Sequence, residues 1–296
     1  MKKAVIDLGT NTFHLLIVEG NGNGHLEEIY RKRIFVQLAE ESITRIGTGA
    51  FERGLNALRE YREAIDNHKV TNVRAFGTAA LRRAENSAEF REAIKKETGI
   101  EVEVIGGDEE ARLITEGVRL AIPMDEKPVL IMDIGGGSVE FIIANNEEVF
   151  WAQSFPVGVA VLFNDFHKNE PITEQEITNI WQFLDKTLAP LKTALHMHKV
   201  DALVGASGTF DVLEAMLVEM KSHPLHAILD AKDFYPIYKK IVSVNLEERL
   251  KINKLPTQRA QLIVVALVLI DYVLNLIEVE KIIVSMYAMK EGMLSE

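Results

Sequence analysis

The sequence predicts an α/β protein of two similar lobes facing one another across a cleft. Three observations predict it. Residues 4–20 (AVIDLGTNTFHLLIVEG) and 128–144 (PVLIMDIGGGSVEFIIA) each read as strand, acidic residue, glycine-bearing turn, strand. Their acids, Asp7 and Asp133, lie 126 positions apart, so each copy opens one half of the chain. Each hairpin is followed by a third strand-like segment, residues 26–38 and 148–155, and then by helical periods mixed with short strands.

The second hairpin carries the chemistry. Gly135, Gly136 and Gly137, followed by Ser138, can adopt backbone angles closed to other residues. Having no Cβ, the glycines also let an anion approach the backbone N–H groups. Asp133 at the strand end would repel that anion unless a cation lay between them. With Glu140 on the returning strand, this suggests a divalent metal that carries phosphate. Gly9, Thr10 and Asn11 form the matching turn of the first hairpin. A ligand is expected between the lobes, where the turns meet.

At 296 residues the chain can bury a large core and divide into two domains, expected at 1–124 and 125–296, with the last helix free to pack back on the first lobe. Composition is that of a globular protein, 47% apolar and 26% charged. There are no cysteines, which excludes disulfides, thiolate metal sites and a Cys nucleophile. Asp7 comes too early for a secretory signal, and the apolar run 262–270 is too short to span a membrane, so a cytoplasmic location is expected. A net charge of −11 argues against nucleic acid or anionic membrane as a partner. Local cations must hold any polyanion: Arg31, Lys32 and Arg33, then Arg82 and Arg83, Lys95 and Lys96, Lys239 and Lys240.

Along the chain, Phe51, Leu55, Leu58, Tyr61 and Ile65 recur at helical spacing within 47–68. A short strand, 73–76, leads to a turn at Gly77 and Thr78, and Arg82 follows where α/β proteins place ligand contacts. Asn86 and Ser87 are placed to cap the helix 88–98. After the strand 101–105, Gly106 and Gly107 precede Asp108, Glu109 and Glu110 in a first helical turn, where acids suit the macrodipole. Glu110 differs from its neighbours, because the apolar face Leu113, Ile114, Gly117 and Val118 turns it inward. In the second half, 159–166 reads as a short helix, and Thr173 with Glu176 as a capping box. The long helix that follows is expected to bend at Pro190. His196 and His198, at its C-terminal end, are not expected to bind metal. Strand 201–206 turns at Ser207, Gly208 and Thr209 into a helix, a third anion-friendly corner. Residues 234–250 and 262–277 are helical, 281–285 is a last strand, and 289–294 a closing helical turn.

Six segments in this order resemble the exopolyphosphatase/guanosine pentaphosphate phosphatase family of the actin-like ATPase superfamily: AVIDLGTNTFHLLI, GTAALRRAEN, EVEVIGGDEEARLITEGV, LIMDIGGGSVEFII, VGASGT and IIVSMYAMKEGML. The resemblance covers essentially the whole chain. It implies two ribonuclease-H-like lobes with the active site in the cleft. It also implies that Glu110 is the catalytic glutamate and that Asp133 and Glu140 are metal-binding acids. Gly9, Thr10, Asn11, Gly135, Gly136, Gly137, Ser138, Gly208 and Thr209 would form three phosphate loops, with Arg82 a phosphate-binding arginine. The chain departs from the family pattern at Val139, at Lys290 in place of arginine, and at Gln261 in place of aspartate. It ends at Glu296, short of the helical C-terminal domains of long members, which leaves processive action on long chains open.

The expected reaction is hydrolysis of a terminal phosphoanhydride with Mg²⁺ or another divalent cation, Glu110 activating the water. Inorganic polyphosphate and guanosine pentaphosphate both offer that bond, and the absence of an evident purine-pocket signal favours polyphosphate. A kinase and a polymerising actin-like scaffold are the rival classes, and a homodimer is left open.

Overall fold

In the computed structural model, residues 2–20 and 26–295 are described. The first lobe starts with β1 (Lys2–Leu8), β2 (Thr12–Gly20) and β3 (Leu26–Phe35), an antiparallel meander. Helix α1 (Thr48–Asn67) then crosses over to β4 (Asn72–Gly77), which pairs parallel to β1. Short α2 (Ala79–Arg83) and α3 (Ser87–Thr98) lead to β5 (Val102–Val104), parallel to β4. The sheet order is β3-β2-β1-β4-β5.

Helix α4 (Gly107–Ala121) follows, and then the plan repeats. β6 (Val129–Ile134), β7 (Val139–Ala144) and β8 (Val149–Phe155) form the second meander. Next come α5 (Val159–Phe166), α6 (Glu174–Thr187) and α7 (Ala189–Met197), then β9 (Leu203–Ala206), parallel to β6. The chain closes with α8 (Gly208–Leu217), β10 (His226–Asp230), α9 (Ala231–Val242), α10 (Leu246–Arg249), α11 (Ile263–Ile277), β11 (Lys281–Ser285) and α12 (Met289–Gly292). The second sheet runs β10-β11-β9-β6-β7-β8. Read from β8 inward, it repeats the first sheet's order, with β10 added antiparallel at the far edge.

Each sheet has one buried core of its own, and a third core is shared. Phe13, Leu58, Tyr61 and Phe90 fill the first lobe. In the second, α11 is buried from Ile263 to Leu274, which removes the apolar run from water. Each fully buried Leu, Ile or Val there contributes roughly 1.5–3 kcal/mol. The shared core takes Val5, Leu16 and Phe76 from the first sheet, Ile131, Ile142 and Val204 from the second, and α4 with α12 between them. Gly117 and Gly292 let these two helices touch backbone to backbone: a Cβ on Gly117 would stand 1.9 Å from the Ala288 carbonyl oxygen, and one on Gly292 1.9 Å from that of Leu113.

The long helix expected to bend at Pro190 is broken instead. It ends at Thr187, and Pro190 occupies the first turn of α7, where its missing N–H costs nothing. Asn86 stands at the N-cap of α3, but its side chain is spent on the backbone N–H and carbonyl of Ile46. The capping box of Thr173 and Glu176 forms as expected. Among the described residues no helix is long and apolar enough to cross a membrane.

Candidate active site

The two glycine turns have the same geometry and meet. The Gly9 N–H donates to the Thr12 carbonyl at 3.2 Å, and the Gly135 N–H to the Ser138 carbonyl at 3.0 Å. A Cβ on Gly136 would lie 2.7 Å from the Asn11 amide nitrogen, and one on Gly137 2.9 Å from Thr10 Oγ1. Only glycine allows so close an approach of the lobes. The Gly135 and Gly136 carbonyls accept from Val159 and Ala160, the first N–H groups of α5, so the second turn is held by a helix end.

The turns floor a cleft of about 550 Å³. It brings together Gly9, Thr10, Asn11, Gly135, Gly136, Gly137, Ser138, Gly208 and Thr209 with Glu110, Asp133 and Glu140. Gly208 begins α8 after Ser207, which is held at φ 67°, a left-handed angle that strains a serine. Ser207 Oγ donates to the Ile134 carbonyl at 3.2 Å, and the hydroxyl beside Asp133 opposes the rise that burial imposes on that carboxyl.

Among the described residues seven carboxylates line this cleft, and four of them, Asp7, Glu110, Asp133 and Glu140, act on one another through their charges. Strand ends deliver Asp7 and Asp133, β7 delivers Glu140 directly opposite Asp133, and the first turn of α4 delivers Glu110. Burial pushes Glu110 up to about 7, against the pull of Arg82, while Asp7 and Asp133 push it further up. Asp7 is likewise pushed up to about 7, by burial first, with Lys290 opposing. Burial also raises Asp133 and raises Glu140 well above the usual carboxylate range, and the charges of Glu110 and Asp133 add to the effect on Glu140. Glu140 Oε1 accepts from Ser138 Oγ at 2.7 Å and from Ser154 Oγ at 2.6 Å, which fixes its orientation.

Mutually repelling oxygen donors in a buried cleft are the donor set of a hard divalent cation, and Asp133 with Glu140 fits that group. Among the described residues no three His, Asp or Glu side chains converge on one ligation point. Any cation would therefore complete its shell with phosphate oxygens and water, as Mg²⁺ commonly does.

Arg82 takes a different place from the other expected site residues. It does not line this cleft: its Nη1 donates to Glu110 Oε2 at 2.5 Å and to the Ile105 carbonyl at 3.0 Å, from behind the cleft wall. The cations that do line the cleft are Arg31, Arg33, Arg259 and Lys290. Arg31 and Arg33 alternate on β3, so Lys32 between them points away and pairs with Glu60. Lys95 is on the surface with Glu101, and Lys239 and Lys240 end α9 outside the cleft. His196 Nδ1 is bound to the Lys192 carbonyl, and His198 stacks on Phe150.

Sequence reasoning missed His14, Arg259 and Lys290 as cleft residues. His14 is paired across the hairpin with Asp7, a register the three-residue turn would have revealed. Burial, with Lys290 and Arg33 nearby, holds His14 well below its usual range, so the imidazole is neutral. Arg259 and Lys290 were noted only for the motifs around them.

A model of the Ppx/GppA phosphatase family matches residues 17–296. The chain belongs to the Ppx/GppA phosphatase family. Its members are phosphoanhydride hydrolases, generally dependent on a divalent cation. Exopolyphosphatase 1 of Mycobacterium tuberculosis (strain ATCC 25618 / H37Rv) is 27% identical over 300 residues, covering 99% of this chain and 87% of that protein. The guanosine-5'-triphosphate,3'-diphosphate pyrophosphatase of Aliivibrio fischeri (strain MJ11) is 28% identical over 98% of this chain, which spans 58% of its length. Among solved structures, an exopolyphosphatase from Cytophaga hutchinsonii superposes with TM-score 0.96 at 38% identity, covering 100% of this chain and 97% of that one. The Aquifex aeolicus PPX-GPPA enzyme gives 0.83 at 30%, covering 100% and 99%. The two-lobed actin-like fold of these Ppx/GppA enzymes is the fold of this chain.

Proposed function

We propose that the chain is an exopolyphosphatase in which Glu110 acts as general base on the water that attacks the terminal phosphate. The observation that carries this is Glu110 itself: a buried carboxylate pushed up to about 7, in the same cleft as both glycine turns. A base with that pKa accepts a proton readily while a substantial fraction of it is still ionised at neutral pH. The water proton goes to Glu110, the hydroxide oxygen bonds to the terminal phosphorus, and the bridging oxygen leaves with the bonding pair on the shortened chain. Backbone N–H groups of the turns at Gly9 to Asn11 and Gly135 to Ser138, with the corner at Gly208 and Thr209, position the phosphate before the step. Asp133 and Glu140 would hold a divalent cation such as Mg²⁺, which when bound neutralises charge on the phosphate oxygens. Arg82 keeps Glu110 ionised and oriented. A cytoplasmic location accompanies this reading.

Guanosine pentaphosphate is the second reading, favoured by the similarity to the Aliivibrio fischeri pyrophosphatase. It needs the same terminal bond and the same residues. Membership in a phosphatase family supports transfer to water over the kinase and scaffold classes. The test is phosphate release from polyphosphate, guanosine pentaphosphate and ATP side by side, with and without Mg²⁺. Mg²⁺-dependent release fastest from polyphosphate is expected. Release fastest from guanosine pentaphosphate moves the assignment to the second reading, and acceptor-dependent loss of ATP moves it to a kinase.

A further inference from the structure

Behind the cleft wall lies a second cavity, of about 350 Å³. Gly137, Ser138 and Ala79 line both spaces. Arg82 lines only the second, yet reaches through to Glu110, which lines only the first. The partition is therefore a stretch of glycine-turn backbone and one ion pair. On its outer side stand exposed Arg83, Asp108 and Pro156, so the second cavity opens to solvent away from the cleft mouth. α4 begins here at Gly107, with no side chain capping its first N–H groups, which adds the positive end of a 15-residue helix to the two arginines.

We propose that this second cavity is the exit and holding site for orthophosphate, the freed anion passing Arg82 while the shortened substrate stays in the cleft. The inference rests on the hydrolase reading above. A chain-like substrate presents its terminal phosphate at the innermost point, against Ser138 and Glu110, and its remaining phosphates fill the way back to the mouth. The product anion is then blocked on the side by which the substrate came. On the other side the turn backbone at Gly137 and Ser138 and the Arg82–Glu110 pair separate it from the second cavity. Taking up the water proton leaves Glu110 neutral and weakens its charge-assisted bond to Arg82. The same step creates a mobile dianionic phosphate next to that guanidinium, for which Arg geometry is suited. The chemistry thus opens its own exit.

Two substitutions test this without touching the cleft. Gln153→Trp fills the second cavity from β8, and Arg83→Glu reverses a charge at its mouth. Arg83 is exposed, so Arg83→Glu keeps the test valid if Gln153→Trp fails to fold. Polyphosphate cleavage is followed by quenched flow with enzyme in excess, and again at steady state with substrate in excess. In both variants the single-turnover rate and kcat/KM should stay within about twofold of the natural chain, KM falling together with kcat. Steady-state kcat should fall about tenfold, with a burst of about one phosphate per active site, because release has become limiting. Unchanged kcat in Arg83→Glu, or a parallel loss of single-turnover and steady-state rates, overturns the exit. No phosphate release by the natural chain, from polyphosphate or guanosine pentaphosphate, overturns the hydrolase reading and the exit with it.

Discussion

Glu109 and Glu110 are chemically the same residue, one position apart, and the helix gives them opposite fates. Glu109 faces solvent and accepts from Arg112 at 2.8 and 2.9 Å, whereas Glu110 is 7% exposed and bound by Arg82. Glu110→Gln keeps shape and hydrogen bonding but removes the proton acceptor. Its kcat should fall roughly 10²–10⁴-fold with little change in Tm, while Glu109→Gln stays near the natural rate. If the two results are reversed in a phosphate-release assay, the base is Glu109. Removing the partner tests the same carboxylate differently. Among the influences on Glu110, Arg82 is the largest that lowers its pKa, so Arg82→Ala should raise that pKa by roughly 1 unit or more. The base works only when deprotonated, so the acid limb of kcat/KM should move to higher pH and activity at pH 6.5 should suffer more than at pH 8.5. An unmoved limb would show that Arg82 does not tune Glu110. The inward turn of Glu110 was legible from the apolar face behind it. The reach of Arg82 was not, because sequence places a residue after a strand but not on which side of a wall its side chain ends.

The elements were legible where period and punctuation agree. The two hairpins, α5, the capping box of α6 and β11 follow directly from apolar runs, glycines and Thr173 with Glu176. β10 escaped notice because Ala227 is buried and Ile228 exposed, so HAILD shows apolar residues on both faces and no period of two. Arg31 and Arg33 could have been separated from Lys32 by strand alternation alone. The contact of α4 with α12 was beyond sequence, since two glycines 175 positions apart carry no mark of facing each other. That contact makes a sharp prediction. Alanine for glycine inside a helix normally gains about 1 kcal/mol. At Gly117 the new methyl would sit 1.9 Å from the Ala288 carbonyl oxygen, an overpacking cost of roughly 1–3 kcal/mol or more. Gly117→Ala should therefore lose stability in urea unfolding. Gly49→Ala in α1 is the control: its nearest neighbour is the flexible Arg53 at 3.4 Å, so no loss is expected. Equal behaviour of the two variants would mean the crossing is looser than drawn.

For the molecule as a whole, the converging carboxylates set function against stability. Asp7 has its ordinary value of 3.8 in the unfolded chain and about 7 when folded. The unfolded state releases the proton first, so the contribution of Asp7 to folding is most favourable below pH 4 and is lost as pH rises towards 7. With a chelator present, Asp7→Asn should be more stable than the natural chain by roughly 1–3 kcal/mol at pH 8 and no more stable at pH 4. Equal urea midpoints at both pH values would show that the repulsion is relieved in another way. Mg²⁺ should raise Tm of the natural chain by on the order of 5 °C at saturating concentration and raise it far less in Asp133→Asn. An identical rise in both would remove Asp133 from the cation site. We propose that the lobes divide between residues 124 and 125, and α4 and α12 straddle that division as a common spine. The glycine crossing within it has a mechanical consequence. Side chains between two helices act as bearings, letting one roll or slide over the other; bare backbone in contact leaves no such play. Glu110 rides on one of these helices and Lys290 on the other, so the crossing ties the spacing of these two cleft side chains to a backbone contact rather than to side-chain packing.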